Sequence, residues 1–69
     1  MGAVMVDEVR KMLDRRQVLK LVPLGRSTMI RMEKEGRFPR GVYIGRQHKY
    51  WYEDEVVAWQ EALPRERAV

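Results

Sequence analysis

Leu24-Gly25-Arg26-Ser27-Thr28-Met29-Ile30-Arg31-Met32-Glu33-Lys34-Glu35-Gly36-Arg37-Phe38-Pro39-Arg40 is the stretch on which the reading of this chain turns. A leucine–glycine turn leads into a short helix that opens on Arg, Ser and Thr and closes at Gly36, a natural residue for a left-handed C′ position. At about 100° per residue, Met29, Met32 and Gly36 share one face, and Ser27, Ile30, Arg31 and Lys34 share the opposite one. The first face reads as core and the second as polar and basic. The N-cap is either Gly25 or Ser27. Residues just inside such a helix start are those that a helix-turn-helix protein presents to the DNA major groove. The free N–H groups there also suit phosphate oxygens.

Upstream, Asp14 reads as an N-cap for a first helix over about Arg15 to Val22, which Pro23 stops. That helix is expected to bury Val18, Leu21 and Val22 and to expose Arg16, Gln17 and Lys20. Val9 to Leu13 reads as a short strand or an irregular lead-in, preceded by a loosely held arm. Downstream, Phe38 is expected to tuck into the core, and Pro39 rules out further helix. Val42-Tyr43-Ile44 and Lys49-Tyr50-Trp51 flank Gly45-Arg46-Gln47-His48, a hairpin pattern with the glycine in the turn. A last helix over about Asp54 to Leu63 carries Val56, Trp59 and Leu63 as an apolar stripe, with Asp54 and Glu55 at the positive end of its dipole. Pro64 closes it.

The expected organisation is an arm or short strand over 1–13, one domain over 14–63 and a tail over 64–69. The fold class is small α+β: a winged helix-turn-helix with three helices and a two-stranded β-hairpin wing. In that arrangement the second helix enters the major groove, and the hairpin tip follows the backbone or the adjacent minor groove.

With 69 residues the chain has a modest core. It has no cysteine and one histidine, so neither a disulfide framework nor a metal site is expected, and no cofactor. No apolar run approaches the roughly 20 residues that span a bilayer. Met1 to Val6 is followed directly by Asp7 and Glu8, so no secretory signal is expected. The expected location is the cytoplasm, on the nucleoid. The net charge is +4, with an isoelectric point near 9.9. From Arg26 to Lys49 there are seven Lys/Arg and two acids, a balance of +5; from Glu53 to Leu63 there are four acids and no base, a balance of −4. That asymmetry reads either as two solvated faces or as a nucleic-acid surface opposite an acidic element.

Arg26, Ser27, Thr28, Ile30, Arg31 and Lys34 are the candidate reading residues. The plainer alternative makes them solvated filler, with the arginines paired weakly to Glu33 or Glu35. Arg31 suits bidentate readout of guanine; Ser27 and Thr28 suit phosphate. Arg37 flanks the helix, and Arg46, Gln47, His48 and Lys49 form either a DNA-touching wing or a solvated loop. Trp51, Trp59, Met29 and Met32 read as core rather than as a stacking platform; Tyr43 and Tyr50 stay open. Acid pairs such as Glu33/Glu35 and Asp54/Glu55 need a cleft to do acid–base chemistry, so no enzyme is expected.

Taken in order, the motifs resemble the AlpA-type phage and prophage regulators, which are similar to small excisionases with a MerR-like winged helix. The matching residues are Gln17-Val18, Leu24, Arg26-Ser27-Thr28, Arg31, Lys34 to Pro39, Ile44-Gly45, Trp51, Glu55-Val56 and Trp59. The chain departs from the family's pattern in two places. Pro23-Leu24-Gly25 replaces a usual Gly-Leu-Ser, and Ile30 stands where an aromatic is common. The resemblance implies binding and bending of double-stranded DNA by the second helix and wing, in gene regulation or in site-specific excision. An integrase or recombinase partner and self-association on adjacent DNA sites would accompany it, without a membrane. The alternative is a protein–protein adaptor or inhibitor with its basic face on an acidic partner; an RNA-binding module ranks behind both.

Overall fold

Asp14 opens the first helix. Its carboxylate accepts the Gln17 N–H at 2.8 Å while the Gln17 side-chain oxygen accepts the Asp14 N–H at 2.9 Å, a reciprocal capping box. The computed structural model describes residues 9–66. Their order is β1 (Met12–Asp14), α1 (Arg15–Leu21), α2 (Arg26–Lys34), β2 (Val42–Ile44), β3 (His48–Tyr52) and α3 (Glu53–Glu61). The arm expected over residues 1–8 lies outside the described residues.

α1 ends one residue earlier than its apolar pattern suggests. Val22 is extended, at φ −117° and ψ 120°, as a residue before proline prefers to be. Val18 and Val22 are buried, but Leu21 is 57% exposed, contrary to expectation. The buried stripe is centred on Val18 and Val22 and flanked by Leu19, which packs on the core. Leu21 lies about 60° to the other side of Val18.

Gly25 is the N-cap of α2, which settles the choice against Ser27. The far end is a Schellman motif: Gly36 lies at φ +78°, Arg37 N–H donates to the Met32 carbonyl at 2.8 Å, and Gly36 N–H to the Glu33 carbonyl at 3.1 Å. A Cβ at Gly36 would meet nothing within 4 Å, so its backbone angle, not crowding, selects glycine.

The sheet has three antiparallel strands in the order β1-β3-β2: the expected two-stranded hairpin gains a third strand where Val9 to Leu13 read as a short strand or an irregular lead-in. β1 joins with Met12↔Tyr52, Leu13↔Trp51 and Asp14↔Tyr50. β2 pairs on the other side with Val42↔Tyr50, Tyr43↔Lys49 and Ile44↔His48. The turn is therefore Gly45-Arg46-Gln47, with Gly45 at φ +75°, and His48 belongs to the strand instead of the tip.

Leu13, Val18, Val22, Met29, Phe38, Trp51 and Val56 form the buried core, with Leu19, Leu24, Met32 and Trp59 packed against it. α3 begins at Glu53 and stops at Glu61, so Leu63 falls beyond it and is exposed rather than part of the stripe. Arg10 holds the start of α3: its guanidinium donates to both Asp54 carboxylate oxygens at 2.8 and 2.7 Å and to Glu55 at 3.0 Å. It also lies 3.7 Å from the centre of the Tyr52 ring.

Candidate nucleic-acid interface

Met29 fixes the orientation of α2. It is fully buried, so the helix turns the opposite side outward, where Ser27, Ile30, Arg31 and Lys34 lie at successive i, i+3, i+4 and i+7 positions, all exposed. Arg26 is exposed one residue before Ser27, while Thr28 is half-buried toward the body of the protein. No side chain caps the start of α2, so its first N–H groups stay open to an oxygen acceptor. Among the described residues, neither Arg26, Arg31 nor Lys34 forms an ion pair. The alternative in which Glu33 or Glu35 occupies these arginines is therefore not what the side chains do.

Both acids are engaged elsewhere. Glu35 receives Arg37 at 3.0 Å, in an exposed pair of the kind that contributes little and exchanges readily. The Arg37 main chain is held more firmly, since its carbonyl accepts the Trp59 indole N–H at 2.8 Å. Trp59 also meets Phe38 edge-on, with ring centres 4.8 Å apart.

Glu33 ties α2 to the wing, a role with no local signature in the sequence. One carboxylate oxygen accepts the Lys49 ammonium at 2.8 Å and the other the Gly41 N–H at 2.7 Å. The two side chains are only 12% and 22% exposed. Lys49 also lies 5.2 Å from the Trp51 ring and 5.7 Å from that of Tyr43. A Cβ on Gly41 would come within 2.5 Å of Lys49 Cε and 3.1 Å of the Trp51 ring, so a side chain there would displace the Lys49 stem from its place over Trp51. Trp51, fully buried, donates its indole N–H to the Pro39 carbonyl at 3.0 Å. Of the four wing candidates, Arg46, Gln47 and His48 are exposed, whereas Lys49 is spent on this tie.

Among the described residues no three His, Asp or Glu side chains are grouped to hold a metal ion. No helix there is long and apolar enough to cross a membrane.

Two helices joined by a tight turn, an outward basic helix face and a sheet whose β2–β3 hairpin projects beside it define a small winged helix-like protein. The family described as Prophage CP4-57 regulatory protein (AlpA) matches residues 11–65, and the chain belongs to it. That places it among phage-type DNA-binding regulators. Neither a curated protein nor a solved structure matches the chain.

Proposed function

We propose that the protein binds duplex DNA in a sequence-specific way, with α2 in the major groove and the Gly45-Arg46-Gln47 turn on the neighbouring backbone or minor groove. The observation that carries this reading is the outer face of α2: Ser27, Ile30, Arg31 and Lys34 are exposed together, and the two cations have no carboxylate partner among the described residues. Arg31 is the base-reading group and Lys34 a phosphate contact, with Ser27 and Thr28 supporting the register. Arg26 and Arg37 flank the helix, and His48 adds to the wing.

The protein performs no chemistry in this reading. It regulates genes of a phage or mobile element, acts as an excisionase beside an integrase site by bending the DNA, or does both. A gel shift on its own genomic neighbourhood, with a large excess of unrelated duplex, tests the binding. Mapping the bound site then separates the roles: a promoter indicates regulation, and an attachment site indicates excision. Binding abolished by unrelated competitor would refute sequence-specific recognition and favour an adaptor for an acidic protein.

A further inference from the structure

The cations of this protein divide into those that a carboxylate holds and those that none does. Among the described residues, Arg10, Lys11, Arg37 and Lys49 have acidic partners. Arg15, Arg16, Lys20 and Arg26 do not, and these four, with Leu19, line an open groove of about 500 Å³ between α1 and the start of α2. No acid lines it. Arg15 also lines the adjoining hollow, of about 270 Å³, with Asp14, Gln47, His48, Lys49 and Tyr50. One side chain thus links the entry of the reading helix to the base of the wing. Its Nε is buried and makes no hydrogen bond among the described residues; shielded in this way, that N–H is not itself the phosphate contact in this conformation. Asp14, the acid on this path, already accepts the Gln17 amide. That same bond closes the start of α1, so the site consists of side chains alone.

We propose that Arg15, Arg16 and Lys20, together with Arg26, form a phosphate track by which α1 grips one DNA strand between the reading helix and the wing. From residue 15 to residue 20 the helix rises about 7.5 Å, about the axial rise of two nucleotides of one strand at roughly 3.4 Å each. The accessible lining of the groove is mostly carbon, from Leu19 and the stems of four cations, and what selects a polyanion is that four positive groups and no carboxylate line it. In helix-turn-helix proteins the first helix crosses the backbone, and here that helix carries the free cations to do so. The track rests on the reading of α2 as the DNA-facing helix and extends the contact surface beyond it.

The test measures binding to a mixed-sequence duplex by fluorescence anisotropy across a series of salt concentrations. It compares the wild type, Arg15→Gln/Arg16→Gln/Lys20→Gln, and Lys11→Gln as a control whose ammonium already faces Glu53 at 3.6 Å. Circular dichroism melts establish that each variant is folded; should the triple variant not fold, Arg16→Gln/Lys20→Gln and Arg15→Lys replace it. The triple variant should lose about 2–3 from the log–log salt slope, and the double about 1–2. Arg15→Lys should keep most of its slope, and Lys11→Gln should keep all of it. A folded variant lacking the groove cations but with wild-type slope and affinity overturns the track while leaving the α2 reading intact. An equal loss per charge removed in Lys11→Gln also overturns it, because overall charge would then be the cause. A wild type that does not bind duplex DNA at all fails the underlying reading instead.

Discussion

Arg31 and Lys34 sit on the same exposed face yet should behave differently, because a guanidinium can fork onto one base whereas an ammonium is a point charge. Arg31→Ala should weaken binding to the cognate site by about 1–3 kcal/mol and relax the preference at one base pair. Lys34→Ala should weaken all duplexes alike and lower the salt slope by about 1. Competition binding against a panel of single-base variants checks both. Wild-type discrimination in Arg31→Ala would mean that α2 does not read bases through this residue. These positions were legible in the sequence because a helix between a glycine turn and Gly36 has one apolar face, and Met29 and Met32 mark it. Lys49 was not legible. Its place among the wing cations followed from being next to the turn, whereas its partner Glu33 lies on another element, 16 residues away.

At the scale of elements, two ties hold the parts in place, and each makes a prediction. Glu33 joins α2 to the strand side of the wing, so Glu33→Ala strands both the half-buried Lys49 ammonium and the Gly41 N–H. The loss should be about 1–3 kcal/mol in chemical denaturation, with DNA affinity falling further than stability alone explains, because the wing loses its angle to α2. Unchanged stability would show that the tie is only a surface contact. The second tie is Arg10 to Asp54 and Glu55. The Arg10 hydrogen bonds hold the Asp54 carboxyl below its ordinary 3.8; the same bonds raise Arg10, which stays charged throughout. A lowered carboxyl contributes stability that is complete above the unfolded value and is lost as pH falls through the folded one. Wild type should therefore be more stable than Asp54→Asn at neutral pH, and the gap should start to shrink as pH falls below about 4. Melting curves at the two pH values decide it, and a constant gap would exclude the charge as its source. β1 was legible only as a short strand or an irregular lead-in over Val9 to Leu13; its bounds and its pairing escaped the sequence. Three residues carry too little alternation to declare a strand, and its place is set by pairing with β3 some 38 residues away (Met12↔Tyr52 is 40, Asp14↔Tyr50 is 36).

For the whole molecule, the charges sort into an acidic α3 that takes up Arg10 and Lys11 and a basic side, on α1 and α2, whose cations have no ion-pair partner among the described residues. The size of that basic side limits what one copy can recognise. A nine-residue α2 is about 13 Å long at 1.5 Å per residue, which covers roughly four base pairs at about 3.4 Å each. Such a short word recurs too often to mark one locus, since what matters is discrimination multiplied by the frequency of competing sites. Two or more copies on neighbouring sites resolve this, and one helical turn of about 10–10.5 base pairs between centres places both reading helices on the same side of the duplex. The expected outcome is cooperative binding to a duplex with two sites at that spacing. Moving the second site by half a turn should abolish the cooperativity, and so should deleting it. Sedimentation of the protein without DNA should report a monomer at the concentrations used. If a one-site duplex were bound as tightly and as selectively as the two-site one, a single copy would carry the whole recognition. The wing would then have to supply the missing specificity, because phosphate contacts from α1 fix position without reading sequence.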